Sequence, residues 1–140
     1  MAIRQLSVFA ENKKGSLHEI TDTLAKANIN LRSMCVADTS NYGIVRIIAD
    51  NPVAAKEMLD KDGHAANIRL INAFAVPDQP GGLAKVLNIL ESHDVDIEYM
   101  YALITTEDGK AYSVMRTSNT EETDKILTEN GIELLDEAKL

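Results

Sequence analysis

Two stretches decide the fold: Glu11-Asn12-Lys13-Lys14-Gly15-Ser16-Leu17 and Pro77-Asp78-Gln79-Pro80-Gly81-Gly82-Leu83. Laid over one another at an offset of 66, they carry the residues that follow into register. Leu17, Ile20, Leu24, Ile29, Leu31 and Met34 then stand over Leu83, Val86, Leu90, Val95, Ile97 and Met100. Strict identities in this block are few, but the apolar spacing is kept throughout. An internal repeat of this length means that one supersecondary unit is used twice.

The register continues at an offset of 68, with Asn51 and Gly63 over Asn119 and Gly131, and Met58-Leu59 over Ile126-Leu127. The two extra residues fit into Thr106-Glu107-Asp108-Gly109-Lys110, opposite Asp38-Thr39-Ser40-Asn41-Tyr42. A turn absorbs such an insertion at little cost, because loop-closure entropy grows slowly with length.

Each unit reads as strand, helix, strand, turn, strand, helix, strand. In the first, residues 3–10 are β-rich, and Leu17, Ile20 and Leu24 recur at helical spacing from Ser16 to Ala27. Ile29 to Ala37 and Tyr42 to Ala49 follow as strands around a turn with Asn41 and Gly43. Asn51-Pro52 starts the second helix, with Asn as cap and Pro at the first helical position, and Gly63 ends it. The second unit repeats the order: strand 70–76, helix 82–93, a hairpin of 95–105 and 110–117 over Asp108-Gly109, helix 120–130 and strand 132–136. Asn119-x-x-Glu122 has the form of a capping box. The fourth strand of the first unit is either its own element or continuous with the strand that opens the second.

A βαββαβ unit of this size folds as a ferredoxin-like sandwich, four antiparallel strands with both helices on one face. The expected architecture is therefore α+β, two such units in tandem, 1–68 and 69–140. Strict alternation places Ile29, Leu31 and Cys35 on one side of the second strand and Met34 and Val36 on the other, with Ile44/Ile48 alternating against Val45/Ile47. Both sheet faces then carry apolar residues, so the units are expected to pack together or the chain to dimerise. Halving 140 residues points the same way, since cores of about 70 residues are only marginally stable alone.

Composition excludes several function classes. The chain is 45% hydrophobic and 26% charged with no Trp, a soluble globular composition with an aliphatic core and few aromatic platforms for stacking bases. Residues 1–70 hold nine Lys+Arg against eight Asp+Glu, and residues 71–140 hold five against fourteen, so the net charge of −8 sits in the second half. That half repels phosphate, and neither nucleic acid nor an anionic membrane is expected as a partner. No apolar run approaches a membrane span, and the first residues lack a signal-peptide pattern, so the cytoplasm is the expected location. Cys35 is the single cysteine. No cofactor or metal is indicated, because His18, His64 and His93 are scattered and no carboxylate run has the spacing of a Ca²⁺ loop. No nucleophile, base and orienting group can be read together either, and an enzyme is not expected.

Two paired features carry the candidate chemistry. Asn12 and Asp78 each stand three residues before a glycine, Gly15 or Gly81, that opens a helix. Unpaired amides and the positive dipole end make that first turn able to hold a carboxylate or phosphate. The same residues also serve simply as turn formers. The second pair is Asn28-Ile29-Asn30-Leu31 and Asp94-Val95-Asp96-Ile97, where Asn30 offers donors and acceptors and Asp96 acceptors only, or where these residues merely end a helix.

Together the Asn/Asp-x-x-Gly-x-Leu loop, the Leu/Ile-spaced helix and the Asn-Ile-Asn-Leu or Asp-Val-Asp-Ile strand entry resemble the ACT domain, over nearly the whole chain and twice. The resemblance implies a free-standing, non-catalytic amino-acid-binding regulator with ligand held between units, by the loop before the first helix and the start of the second strand. By that resemblance Asn12, Gly15, Ser16, Leu17 and Asn30 form the site of the first unit, and Asp78, Gly81, Gly82, Leu83 and Asp96 its counterpart. The acids at 78 and 96 repel a ligand carboxylate, which favours the first unit or a composite site. A homodimer and a metabolic enzyme as recipient of the signal are the implied partners. The competing reading is a protein-interaction module that docks on an enzyme or transporter, its ligand site degenerate.

Overall fold

A computed structural model describes residues 2–37, 42–104 and 107–140. The strands are β1 (Ile3–Glu11), β2 (Leu31–Ala37), β3 (Tyr42–Ala49), β4 (Ala66–Pro77), β5 (Ile97–Ala102) and β6 (Lys110–Thr117). The helices are α1 (Ser16–Lys26), α2 (Pro52–Lys61), α3 (Gly82–Ser92) and α4 (Thr120–Glu129). The chain forms two compact units, Arg4–Arg69 and Leu70–Leu140, the latter grouped with Met1–Ile3. The boundary falls inside β4, one continuous strand, rather than in a linker. The expected turn over Asp38–Asn41, and Thr106 in the expected insertion, lie outside the described residues.

In the N-terminal unit the strand order is β2-β3-β1-β4. Leu6 and Val8 of β1 and Val45 and Ile47 of β3 form one core with Ile20 and Leu24 of α1 and Ala55 and Leu59 of α2. In the C-terminal unit the order is β4-β6-β5. Phe74, Val76 and Met115 of its sheet pack with Val86, Leu90 and Leu127 of its helices. Both units are thus antiparallel sheets with two helices on one face, the α+β architecture that the repeat implies.

The helices end alike because their last turns close alike. Ile29 N–H reaches Leu24 O at 3.0 Å, Val95 N–H Leu90 O at 3.0 Å, His64 N–H Leu59 O at 2.8 Å and Ile132 N–H Leu127 O at 2.9 Å. Each is the long bond of a Schellman motif, which needs a left-handed residue just before it. Asn28 (φ 56°), Asp94 (φ 57°), Gly63 (φ 85°) and Gly131 (φ 75°) supply it. Two of these are not glycine, and Asn and Asp are the side chains that tolerate the left-handed region best.

Two expectations are corrected. First, β2 does not alternate strictly: Leu31 pairs with Ala49 but Ser33 with Ile48, so Arg32 is the extra residue of a bulge. The bulge shifts the phase, and Leu31, Met34 and Val36 share the core face with Ala49, Ile47 and Val45, while Cys35 falls on the other face beside Arg46. β5 has the same irregularity at Glu98, between Ile97/Thr117 and Tyr99/Arg116. Second, residues 132–136 form no strand. Leu134 makes only an isolated bridge to Phe74. The bonds Ala75 N–H to Glu133 O and Leu135 N–H to Ala73 O, both 2.9 Å, hold the segment to β4 before the chain turns into a single 3-10 turn at Glu137–Lys139. The polar run Asp136-Glu137-Ala138-Lys139 lacks the alternation that would extend the pairing.

One buried polar network stands in the C-terminal unit. Asn72, wholly buried, donates through Nδ2 to Thr120 O at 2.8 Å and to Asp124 Oδ1 at 2.7 Å, and accepts from Thr117 Oγ1 at 2.9 Å. It pins α4 to β4 and β6. At the surface, Asn119 caps α4 by accepting from Glu122 N–H at 3.1 Å, and Glu122 Oε2 answers on the Asn119 side-chain amide at 3.3 Å. The reciprocal arm of the capping box therefore meets the side chain instead of the backbone. Because a broken buried network leaves polar groups unsatisfied, Asn72→Leu is expected to cost about 2–4 kcal/mol. Asn119→Ala is expected to cost about 1 kcal/mol. Denaturant midpoints of the two variants against the parent measure both.

Candidate ligand site at the opening of the first helix

The four helices begin in two different ways. α2 and α4 are capped by side chains, Asn51 accepting from Ala54 N–H and Asn119 from Glu122 N–H. α1 and α3 begin instead on left-handed glycines, Gly15 (φ 92°, ψ −12°) and Gly81 (φ 84°, ψ −5°), with no side-chain cap. A helix start without a cap leaves its first-turn amides turned outward at the positive end of the dipole. In α1 those beyond Ser16 belong to Leu17 and His18.

The loops leading into α1 and α3 share one backbone design. Lys13 N–H bonds Glu11 O at 2.9 Å and Ser16 N–H bonds Lys13 O at 3.3 Å. Gln79 N–H bonds Pro77 O at 2.9 Å and Gly82 N–H bonds Gln79 O at 3.0 Å. The second loop is tighter: a Cβ on Gly82 would lie 2.1 Å from Pro77 O, whereas the equivalent position in the first unit carries the side chain of Ser16. Asp78 N–H also donates to Gly109 O at 3.0 Å, tying the second loop to the β5–β6 turn.

Beside the first loop lies a cavity of about 120 Å³. Asn12, Lys13 and Ser16 give it polar groups, and Leu17, Val36 and Val45 give it an apolar wall. Glu11 and Lys13 at its rim form an ion pair at 3.3 Å, exposed on both sides. Asn12, Ser16 and Leu17, expected at a site, therefore meet around one space, with Gly15 at the adjoining helix start. Asn30 does not join them. It precedes β2, where its N–H donates to Asp50 Oδ1 at 3.2 Å and its carbonyl accepts from Asp50 N–H at 3.1 Å. The cavity touches Val36 and Ala37 at the far end of that strand, about 20 Å away at the ordinary rise per residue.

The same separation holds in the second unit. Asp96 precedes β5, while Gly82 sits at the other end of its sheet. There Gly82 lines a cavity of about 330 Å³ with Val76, Pro77, Lys85, Val86 and Ile132. Lys110 Nζ holds Glu133 Oε2 at 2.7 Å on its border. That bond raises the lysine's pKa and lowers the carboxyl's. Tyr112, buried beside them, donates its hydroxyl to Glu107, a bond that raises the phenol's pKa. Among the described residues no cluster of three or more His, Cys, Asp or Glu could hold a metal ion. No helix among them is long and apolar enough to cross a membrane.

Sequence reasoning missed Ala10, Val36, Ala37, Gly43 and Val45 as lining residues. Their signal is in the cross-strand pairs Ala10↔Gly43 and Val36↔Val45, non-local pairings of which the second also depends on the bulge in β2 and so on a register that alternation misassigns.

Loop, cavity and repeat define a pair of small α+β modules built on one plan, and comparison with known proteins agrees. The chain belongs to the ACT domain pair family, whose model matches residues 1–140. A protein of known crystal structure from Bacteroides thetaiotaomicron is 40% identical, over 99% of this chain and 95% of that one, with a TM-score of 0.92. The ligand-free regulatory subunit of aspartate kinase from Thermus thermophilus superposes with a TM-score of 0.68 at 15% identity, covering 91% and 92% of the two chains. That of Thermus flavus gives 0.62 at 15% identity, with 90% of each chain covered. At such identities the two kinase subunits attest the fold. No curated protein matches the sequence.

Two outcomes follow from the local geometry. Gly82→Ala is expected to destabilise by about 1–3 kcal/mol through forced backbone movement, and Ser16→Ala by less than about 1 kcal/mol, as thermal melts would record. Because the raised Tyr112 pKa favours the neutral phenol in the folded state, its contribution is complete below the ordinary tyrosine range and lost as pH climbs through the raised value. In an alkaline titration followed by phenolate absorbance, Tyr112→Phe should remove a component that titrates above the ordinary tyrosine range.

Proposed function

We propose that this chain is a non-catalytic amino-acid-binding regulator whose ligand sits at the opening of α1. The observation that carries the reading is the contrast between helix starts: Asn caps close α2 and α4, while α1 opens on Gly15 without a cap, beside a cavity. A ligand carboxylate would take the amides of Leu17 and His18. Its ammonium would take the Asn12 side-chain oxygen. The C-terminal loop suits this less well, since Asp78 and Asp96 bring acids and Gly82 lies tight on Pro77 O. Asn30 stands too far from the cavity of its own unit to share one ligand with Asn12. Its place in the site comes from a second copy of the chain, which makes the binding species a homodimer. Ligand binding then favours one arrangement of the copies, and an enzyme partner receives that change.

Calorimetry and thermal shift against the twenty amino acids test the proposal. One of them should bind, and at about a hundred times its Kd it should stabilise the protein by about 2.7 kcal/mol, a rise in melting temperature of several degrees. Asn12→Ala and Asn30→Ala should each weaken that binding at least tenfold, and Asp96→Ala should not. A chain that binds no amino acid at millimolar concentration is not a sensor of them.

A further inference from the structure

The walls of the α1 cavity differ in chemistry from its rim. Ala10, Leu17, Val36, Ala37, Gly43 and Val45 line the space, and all are aliphatic or lack a side chain. The polar groups, Asn12, Ser16 and the Glu11–Lys13 ion pair, belong to the loop. A charged side chain pushed against the walls would lose its hydration with no counter-charge there, which is prohibitive. At about 120 Å³ the space is also smaller than the roughly 150 Å³ cavity that admits a benzene ring.

Gly43 widens that space. Its φ lies outside the left-handed region, so the backbone does not require glycine. A Cβ there would stand 3.7 Å from Ala37 O and 3.9 Å from both Ala10 O and Val36 Cγ1, ordinary contact distances, so packing does not require glycine either. What glycine does at this position is leave a methyl-sized volume empty in the wall. The other unit fills it. The ladder pair Ala10↔Gly43 is replaced there by Val76↔Ala111, and Val36↔Val45 by Ala102↔Ser113. The N-terminal unit thus combines a missing methyl at Gly43 with a valine pair, Val36 and Val45, where the C-terminal unit has Ala102 and the polar Ser113.

Resting on the reading that the opening of α1 holds an amino acid, we propose that the ligand is one with an uncharged, branched aliphatic side chain of three or four carbons, and that Gly43 sets its upper size. The loop holds the charged ends, common to all amino acids, and the wall chooses among side chains. A pocket of this kind discriminates by about ten- to 200-fold per methylene-sized difference.

The test is a calorimetric panel on the full chain, parent against Gly43→Ala and Val36→Ser. Val36 is about half exposed on an edge strand, and the Gly43 methyl meets only ordinary contacts, so both variants should fold, as circular dichroism will check. Leucine, isoleucine or valine should bind the parent at least tenfold more tightly than phenylalanine, lysine and aspartate. Gly43→Ala should lower the leucine-to-valine affinity ratio roughly tenfold, and Val36→Ser should weaken all three aliphatic ligands. Binding of phenylalanine, lysine or aspartate as tight as leucine, with the Asn12→Ala loss retained, would overturn the side-chain class and leave the amino-acid reading standing. An unchanged leucine-to-valine ratio in Gly43→Ala would remove Gly43 from the selection. If no amino acid binds the parent, both proposals fall together.

Discussion

The left-handed residue at each helix end is the constraint on which the rest of this chain depends. At Asn28 and Asp94 the backbone reverses hand for one residue, and the next N–H can then reach back five residues to close the helix. That closure sends Ile29 straight into the core beside Leu24 and fixes where β2 begins. With β2 placed, its register on β3 decides which side chains face the helices. At the other end Gly15 makes the opposite reversal, letting β1 run into α1 through a loop too short for any gentler route. The uncapped helix start is the residue of that economy, and so is the cavity beside it.

Much of this was legible in the sequence because the repeat tests itself. Left-handed positions recur at the same offsets as the apolar pattern: Gly15 with Gly81, Asn28 with Asp94, Gly63 with Gly131. Helix limits were close because caps and stops are local chemistry, as Asn51-Pro52 and Gly63 illustrate. What escaped was non-local. A bulge at Arg32 leaves no mark in composition, yet it reverses the faces of every residue after it in β2, Cys35, Met34 and Val36 included. For the same reason the loop side of the candidate site could be read in advance and its wall could not. Asn30 is a different case: it stands at the opposite end of β2 from the loop of its own unit, a separation that closeness in sequence to the helix end does not reveal. The missing strand at 132–136 came from reading apolar content as pairing, where only two backbone bonds form.

The two units show how far one backbone can diverge in use. Ladder positions correspond pair for pair, down to the bulge, so differences in lining are differences of side chain and not of architecture. At the helix opening the N-terminal unit keeps amides, a serine and a glycine in the wall. The C-terminal unit has an acid, a glycine locked against Pro77 O, and the Lys110–Glu133 pair nearby. It also holds the buried Asn72 network, which fixes how α4 docks on β4 and β6.

The paired bulges have a further consequence, for solubility. β2 and β5 are the edge strands of their sheets, and an open edge is a template on which further strands can add without limit. Each is interrupted by one extra residue, and that residue is charged, Arg32 in one and Glu98 in the other. A bulge twists the edge away from a flat approach, and a buried charge would be the penalty for any strand laid across it. The irregularity that hides the register from sequence analysis also guards the chain against edge-to-edge aggregation.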